Sequence, residues 1–513
     1  MKLKRVHVSG VTLSALGWVL GTMPAQAQEA AVASVQSLPV TPAVAMKKAA
    51  TTDGKADKAK ISYYGIYRFR VEDWNWFPTP KANGAYTFET SVLKLGVTSA
   101  ARLNDFTLEL EQPIVLNLPH NAAGSGALGS LGYGANYYAA NHNQGGDLFI
   151  KQAFVRFKRL ANNPNATAQI GRFTFSDGTE TTPADPSVAY LKQTRINDRL
   201  ISEAFTSNLG RSFDGVRISD NARLHNVTAF VASPTRGAYQ LNGWDMLNDI
   251  QVGYLATTFT QTGKHDYAEG RLFSIYYGDE RQKTVKVDNR PTAARTADTR
   301  ANHLGVFGGN YVRSFDLGPG RLDGVLWGAG EIGGWGHLTQ AAYAYDTELG
   351  YQFTHTAWKP WLRVGYSFYS GDGSVNGTQH GTYIPVLTTA QKYAPFPFYT
   401  QANLKDFFGQ VILRPSAKLT LRAEVHGLKL ANAQDLWYTG SGAYENVNFG
   451  YSGRPSGGHV NLGTLYDLGA DYTATRNLTI GLFLGYAHGG DVQAATFAGK
   501  DADYSYLQFL YKF

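Results

Sequence analysis

From Ile61 to the C-terminal Phe513 the chain repeats segments of about ten residues in which apolar and polar side chains alternate. Successive side chains of a strand point to opposite faces, so each segment has one apolar and one polar side. The last of them, D-Y-S-Y-L-Q-F-L-Y-K-F over 503–513, sets Leu507, Phe509, Tyr511 and Phe513 against Tyr506, Gln508 and Lys512. Eighteen such segments fall near 61–74, 86–98, 104–116, 148–160, 167–175, 211–219, 223–233, 249–260, 268–278, 302–315, 320–331, 338–353, 360–370, 403–414, 418–430, 464–474, 477–488 and 503–513. This length and period suit a tilted strand that crosses a bilayer.

The connections strengthen the reading. Tight turns at 99–103, 161–166, 220–222, 261–267, 316–319, 354–359, 415–417 and 475–476 alternate with excursions at 117–147, 176–210, 234–248, 279–301, 371–402, 431–463 and 489–502; 75–85 and 332–337 are shorter. A soluble sandwich has no reason to alternate in this way. Outer-membrane barrels do, with short periplasmic turns, long extracellular loops and an even strand number. The expectation is an all-β, transmembrane antiparallel β-barrel of 18 strands with both termini in the periplasm. Closure removes the edges that would invite aggregation. Phe513 then serves as a lipid-interface anchor, and the last strand pairs with the first near Tyr63 to Val71.

Composition agrees. The chain has 56 Gly, 31 Tyr, 27 Phe, 9 Trp and no Cys, which excludes disulfides and fits turns plus aromatic belts. Lys2, Lys4 and Arg5 precede an apolar stretch, Val8 to Met23, and the small-x-small Ala25-Gln26-Ala27, so 1–27 reads as a secretory signal peptide. No later window is long and apolar enough for a spanning helix. Residues 28–60, rich in Ala, Val, Thr, Lys and Gln, read as a flexible periplasmic leader, and 61–513 as the barrel. The net charge of +7 falls once those three basic residues leave, and nothing supports nucleic-acid binding.

Charges on the lipid face cost roughly 2 to 4 kcal/mol each at the bilayer midplane, so the charged parity must face the lumen. Leu419, Leu421, Ala423 and Val425 face lipid, opposite Thr420, Arg422, Glu424 and His426. Inward cations are Arg68, Arg70, Lys94, Arg156, Lys158, Arg363, Arg414 and Arg422. Glu72, Glu109, Glu111, Asp346, Glu348, Glu424, Asp467 and Asp471 are the inward acids. Arg172 shares parity with Ile170, which leaves its direction open. Eighteen strands leave an aqueous or loop-plugged lumen, and fixed charges there select ions by sign. The charges either pair across the wall or gather at a constriction. In the loop 176–210, Asp185 suits an N-cap and Pro186 the first helical position, so a helix toward Ala204 would carry Lys192, Arg195 and Arg199 into the lumen or over the rim. Loop 371–402, with Pro385, Pro395 and Pro397, is a second constrictor.

No nucleophile, base and orienter combine, His426 beside Glu424 reads as a lumen histidine, and there is no H-E-x-x-H or phosphate loop. An enzyme is not expected, nor a cofactor or bound metal.

Several segments resemble the alginate export family of outer-membrane barrels. They are Q-A-F-V-R-F (152–157), I-G-R-F-T-F-S-D-G (170–178), G-R-S-F-D-G-V-R-I (210–218), L-R-V-G-Y-S-F-Y-S-G-D-G (362–373), L-A-N-A-Q-D-L-W-Y (430–438) and D-Y-T-A-T-R-N-L-T-I-G-L-F-L-G-Y (471–486). The resemblance implies an eighteen-stranded barrel whose basic pore passes an anionic uronate polymer. Onto this chain it carries Arg156, Lys158, Arg217, Arg363 and Arg172. The expected partners are outer-membrane lipid, an anionic polysaccharide or anionic small solute, and periplasmic export proteins. The other reading is a porin that takes up anionic sugars or other small solutes. The Lys/Ala-rich leader and the long stretch between Gly178 and Gly210 depart from the family pattern.

Overall fold

The computed structural model describes residues 59–78, 84–122, 133–205, 207, 209–447 and 449–513. The expected signal peptide and all but the last residues of the expected leader lie outside the described residues.

Eighteen antiparallel strands close on themselves. In chain order they are β1 (Lys60–Asn75), β2 (Ala85–Ala100), β3 (Asn104–Leu116), β4 (Phe149–Lys158), β5 (Ala166–Phe173), β6 (Phe213–Asn221), β7 (His225–Pro234), β8 (Ile250–Thr262) and β9 (Asp266–Asp279). The ring continues with β10 (Asn302–Leu317), β11 (Gly320–Trp335), β12 (Leu338–Gln352), β13 (Trp361–Tyr369), β14 (Leu404–Ser416), β15 (Leu419–Leu430), β16 (Asn461–Thr473), β17 (Leu478–Gly489) and β18 (Asp501–Lys512). Each overlaps one of the eighteen expected segments. The β11–β12 hairpin is tighter than expected: its ladder runs to Trp335 opposite Leu338, and Gly336, at φ 59, makes the turn.

The ring closes through β18 on β1, with Ile66 opposite Lys512 and Asn75 opposite Asp503. Gly65 and Phe513 exchange two backbone hydrogen bonds, of 2.8 and 3.0 Å. On the outer face the Phe513 ring covers Gly65 so closely that a Cβ there would stand 2.2 Å from it. The absent side chain is what lets the terminal aromatic lie flat against the first strand.

Parity sorts the two faces as expected. Leu272, Phe407, Val425 and Leu484 are exposed on the outside, while Glu269, Asp346, Arg363 and Asp467 are buried inside. This is an outer-membrane barrel, apolar outward and charged inward. Among the described residues no helix is long and apolar enough to cross a membrane.

Candidate functional site

The lumen is bridged by its own loop. Between β5 and β6, the described residues of 174–212 leave the wall, run across the bore and return. Asp185 caps a helix over Pro186–Leu191 by accepting a 3.0 Å hydrogen bond from the Val188 N–H, and a π turn continues it over Lys192–Ile196. The helix stops short of the expected Ala204 because Asp198 takes φ 66 and Asp177 claims the next backbone donors. One Asp177 oxygen accepts from the N–H groups of Leu200 and Ile201, each at 3.0 Å; the other meets buried Arg271 of β9 at 3.0 Å. The S-D-G at 176–178 is thus the device that turns the loop inward.

The two ends of the bridge are held by different chemistry. On the β9–β12 side, loop cations meet wall carboxylates: Lys192 lies 2.5 Å from Glu269, Arg195 2.5 Å from Glu348, and Arg199 pairs with Asp346. Wall Arg321 answers loop Asp185 at 2.7 Å. On the β1–β4 side, wall cations meet loop carbonyls. Arg68 donates to the carbonyls of Phe205 and, at 2.7 Å, Ser207; Lys151 donates to those of Gly210 at 2.5 Å and Arg211 at 3.0 Å. Lys94 sits 4.4 Å from the Phe205 ring centre and 3.4 Å from Glu111. Loop 370–403 packs onto the bridge: Leu387 exchanges backbone hydrogen bonds with Leu200 and Ser202, and Lys392 lies 2.7 Å from Asp198.

The sequence-derived pore cations are therefore mostly neutralised. Arg363 bridges Asp323 and Glu348, the latter at 2.6 Å, and Arg422 meets Asp471 at 2.5 Å. Arg70 donates to Gln508 at 2.7 Å and lies 4.0 Å from Glu72. Arg156 and Lys158 share Asp105, at 2.5 and 2.7 Å, beside the periplasmic turn 101–103, below the bridge. Arg217 and Arg414 have no carboxylate within ion-pair distance among the described residues. Arg217 lies over the Phe175 ring at 5.2 Å; Arg414 lies over Tyr190 at 5.8 Å and Trp361 at 5.4 Å. Arg172 is not in the lumen: it stands on the outer face in a fork to Asp214, both bonds 2.7 Å. Space left beside Pro395 is lined by Arg422 with Glu424, Asp467 and Asp471, more acidic than basic.

Sequence reasoning missed Arg211. It is fully buried, none of its guanidinium nitrogens has a hydrogen-bond partner among the described residues, and burial brings its pKa down to about 10. It lies inside the G-R-S-F-D-G-V-R-I segment, so its signal was on the page, attached to Arg217 instead.

Comparison with known proteins agrees with this geometry. The family model described as alginate export matches residues 143–502. Among solved structures, Pseudomonas aeruginosa OccK9 (OpdG) is similar at TM-score 0.53 and 12% identity, over 88% of this chain and 98% of that one. Acinetobacter baumannii OccAB4 is similar at TM-score 0.53 and 8% identity, over 90% and 100%. P. aeruginosa OpdK with vanillate reaches TM-score 0.50 at 9% identity, over 88% and 98%. These likenesses show the fold. No curated protein sequence matches the chain. A closed eighteen-stranded wall, a charged lumen and a family match over most of the barrel make the chain an outer-membrane channel protein and a member of the alginate export family.

Proposed function

We propose that the barrel passes an anionic uronate-type polysaccharide across the outer membrane of a Gram-negative bacterium by passive diffusion, with the bridge 174–212 as its gate. The observation that carries this reading is the seating of Lys192, Arg195 and Arg199 on Glu269, Glu348 and Asp346. A uronate polymer presents the same carboxylate group as that wall, and guanidinium binds carboxylate through charge-assisted, often bidentate hydrogen bonds. As the bridge leaves the wall, the polymer can replace Glu348 and Asp346 as partner, so the cations are handed from wall to cargo without standing bare. Arg217 and Arg414 add positive charge that no wall carboxylate cancels.

A second reading, uptake of small anionic solutes, is favoured by the bridged bore, which leaves narrow passages, and by the likeness to OpdK, whose structure contains vanillate. A passive pore has no direction of its own. Direction would come from a synthase and periplasmic partners on one side or a catabolic pathway on the other. Deleting the gene and measuring secreted uronic acid separates the two. Lost secretion supports export, whereas unchanged secretion with lost growth on an anionic sugar supports uptake. In planar bilayers, a reversal potential on the cation side would reject anion passage altogether.

A further inference from the structure

The outer wall carries a pair of charges that the lumen does not explain. Lys405 begins β14 just below the extracellular loop 370–403, and Lys429 ends β15 just below the next one. Both share parity with lipid-facing side chains, Phe407 and Val425. In the ladder they stand directly opposite each other. Facing positions of an antiparallel pair bring Cβ atoms to about 4.5–5.5 Å, where like charges destabilise the pair. Neither has a carboxylate within ion-pair distance among the described residues. Two other charges of the outer rim have ionic partners, Arg172 with Asp214 and His303 with Glu280 at 3.2 Å, while outward Asp73 and Asp503 accept hydrogen bonds from Thr87 and Asn75. Snorkelling accounts for one lysine at a membrane rim. It does not account for two set face to face without an acid.

What adjoins them is a built site. Lys405 lies 5.9 Å from the ring centre of Phe368, its neighbour across β13, and Phe368 stacks on Tyr343 and Tyr345, both at 5.4 Å. Beside this platform a cleft of about 630 Å³ opens, lined by Tyr343 and Phe368 and by polar Ser370, Asp372, Thr378 and Asn432. Asn432 follows Lys429 by three residues. Asp372 is 6% exposed, and its Oδ2 has no hydrogen-bond partner among the described residues. The size suits a small ligand, and aromatic rings together with polar groups in one cleft can hold a sugar ring.

We propose that this face binds the phosphorylated headgroup of an outer-leaflet glycolipid, with Lys405 and Lys429 on phosphate and the cleft on the sugar. The charge complementarity is direct: lysine ammonium groups bind phosphate, and a bridging phosphate turns a repulsive pair into a clamp. Asp372 then accepts a sugar hydroxyl, and Phe407, 61% exposed below the pair, meets the acyl chains.

The test uses the full-length barrel in neutral detergent. Native mass spectrometry measures binding of a diphosphorylated glucosamine glycolipid, its dephosphorylated form, phosphatidylglycerol and inorganic phosphate. The diphosphorylated form is expected to bind. Affinity should fall roughly tenfold or more in K405Q/K429Q, and as much in wild type when the phosphates are removed. Asp372→Asn should weaken the glycolipid and leave phosphatidylglycerol unchanged, and Lys264→Gln, in a periplasmic turn, should change nothing. Equal glycolipid affinity in K405Q/K429Q overturns the proposal. So does phosphatidylglycerol or inorganic phosphate binding as tightly as the glycolipid, or a dimer of the chain that disappears with the lysines. Assembly is checked by heat-modifiable gel mobility. If the double variant fails to assemble, the single variants are read instead, and unchanged affinity in both overturns it equally.

Discussion

Asp177→Ala should unlock the bridge. The substitution removes the acceptor for the Leu200 and Ile201 N–H groups and strips buried Arg271 of its 3.0 Å partner. Removing one member of a buried ion pair costs about 3 to 5 kcal/mol. Glu180 remains 3.5 Å from Arg271, so the lower end applies, and Arg271 does not become a bare buried charge. About 3 kcal/mol shifts the docked–undocked equilibrium roughly a hundredfold toward the open bore. Single-channel recording in planar bilayers reads this directly: the variant should spend far more time in a high-conductance state than the wild type. Asp177→Asn, which keeps an oxygen for the two N–H groups but loses the charge, should fall between them. Unchanged conductance in a correctly assembled Asp177→Ala barrel would refute the view that this carboxylate holds the gate.

Three further outcomes are expected. Replacing Arg217 or Arg414 by Gln removes a cation with no carboxylate within ion-pair distance among the described residues. A unit charge about 10 Å from a passing ion in a water-like medium is worth about 0.4 kcal/mol, so each change should lower the anion preference read from the reversal potential about twofold. Asp298 in the extracellular loop 280–301 is buried, which works against its charge. The His337 N–H at 3.0 Å, the His337 ring at 2.7 Å and Arg290 at 2.9 Å overcome this and hold its pKa near 2. A depressed pKa stabilises the loop fully above the ordinary carboxylate value, and that stabilisation is lost between about pH 4 and pH 2. Cleavage of the loop by an acid-active protease should rise across that window, and a flat profile would reject the clasp. Gly65→Leu drives a side chain into the Phe513 ring at a cost of about 1 to 3 kcal/mol and should reduce the heat-modifiable, assembled fraction, while Phe513→Ala in the same background should restore part of it.

The barrel was legible because its information has a period of two. Parity alone placed Arg422 and Glu424 inside and Leu419 and Val425 outside, the repeated segments gave eighteen strands, and the alternation of short and long connections gave the end that faces the periplasm. The bridge was half legible: Asp185-Pro186 announced a helix start, but its end at Ile196 depended on Asp177, nine residues before Pro186, drawing away the next N–H groups. Whether a lumen charge is free or matched lies beyond periodicity, since it depends on which strands face each other and what the loop inserts between them. Arg363 and Arg217 look alike in sequence, each an inward arginine in a family segment. Arg363 is cancelled because β11 and β12 bring Asp323 and Glu348 to it, whereas β5 and β7 offer Arg217 only Gln169 and Phe230. Counting basic residues along the strands therefore overstates the positive charge of the bore. On the proposed reading, selectivity is set by the small set of cations whose cross-strand neighbours are neutral, together with those a moving bridge would release.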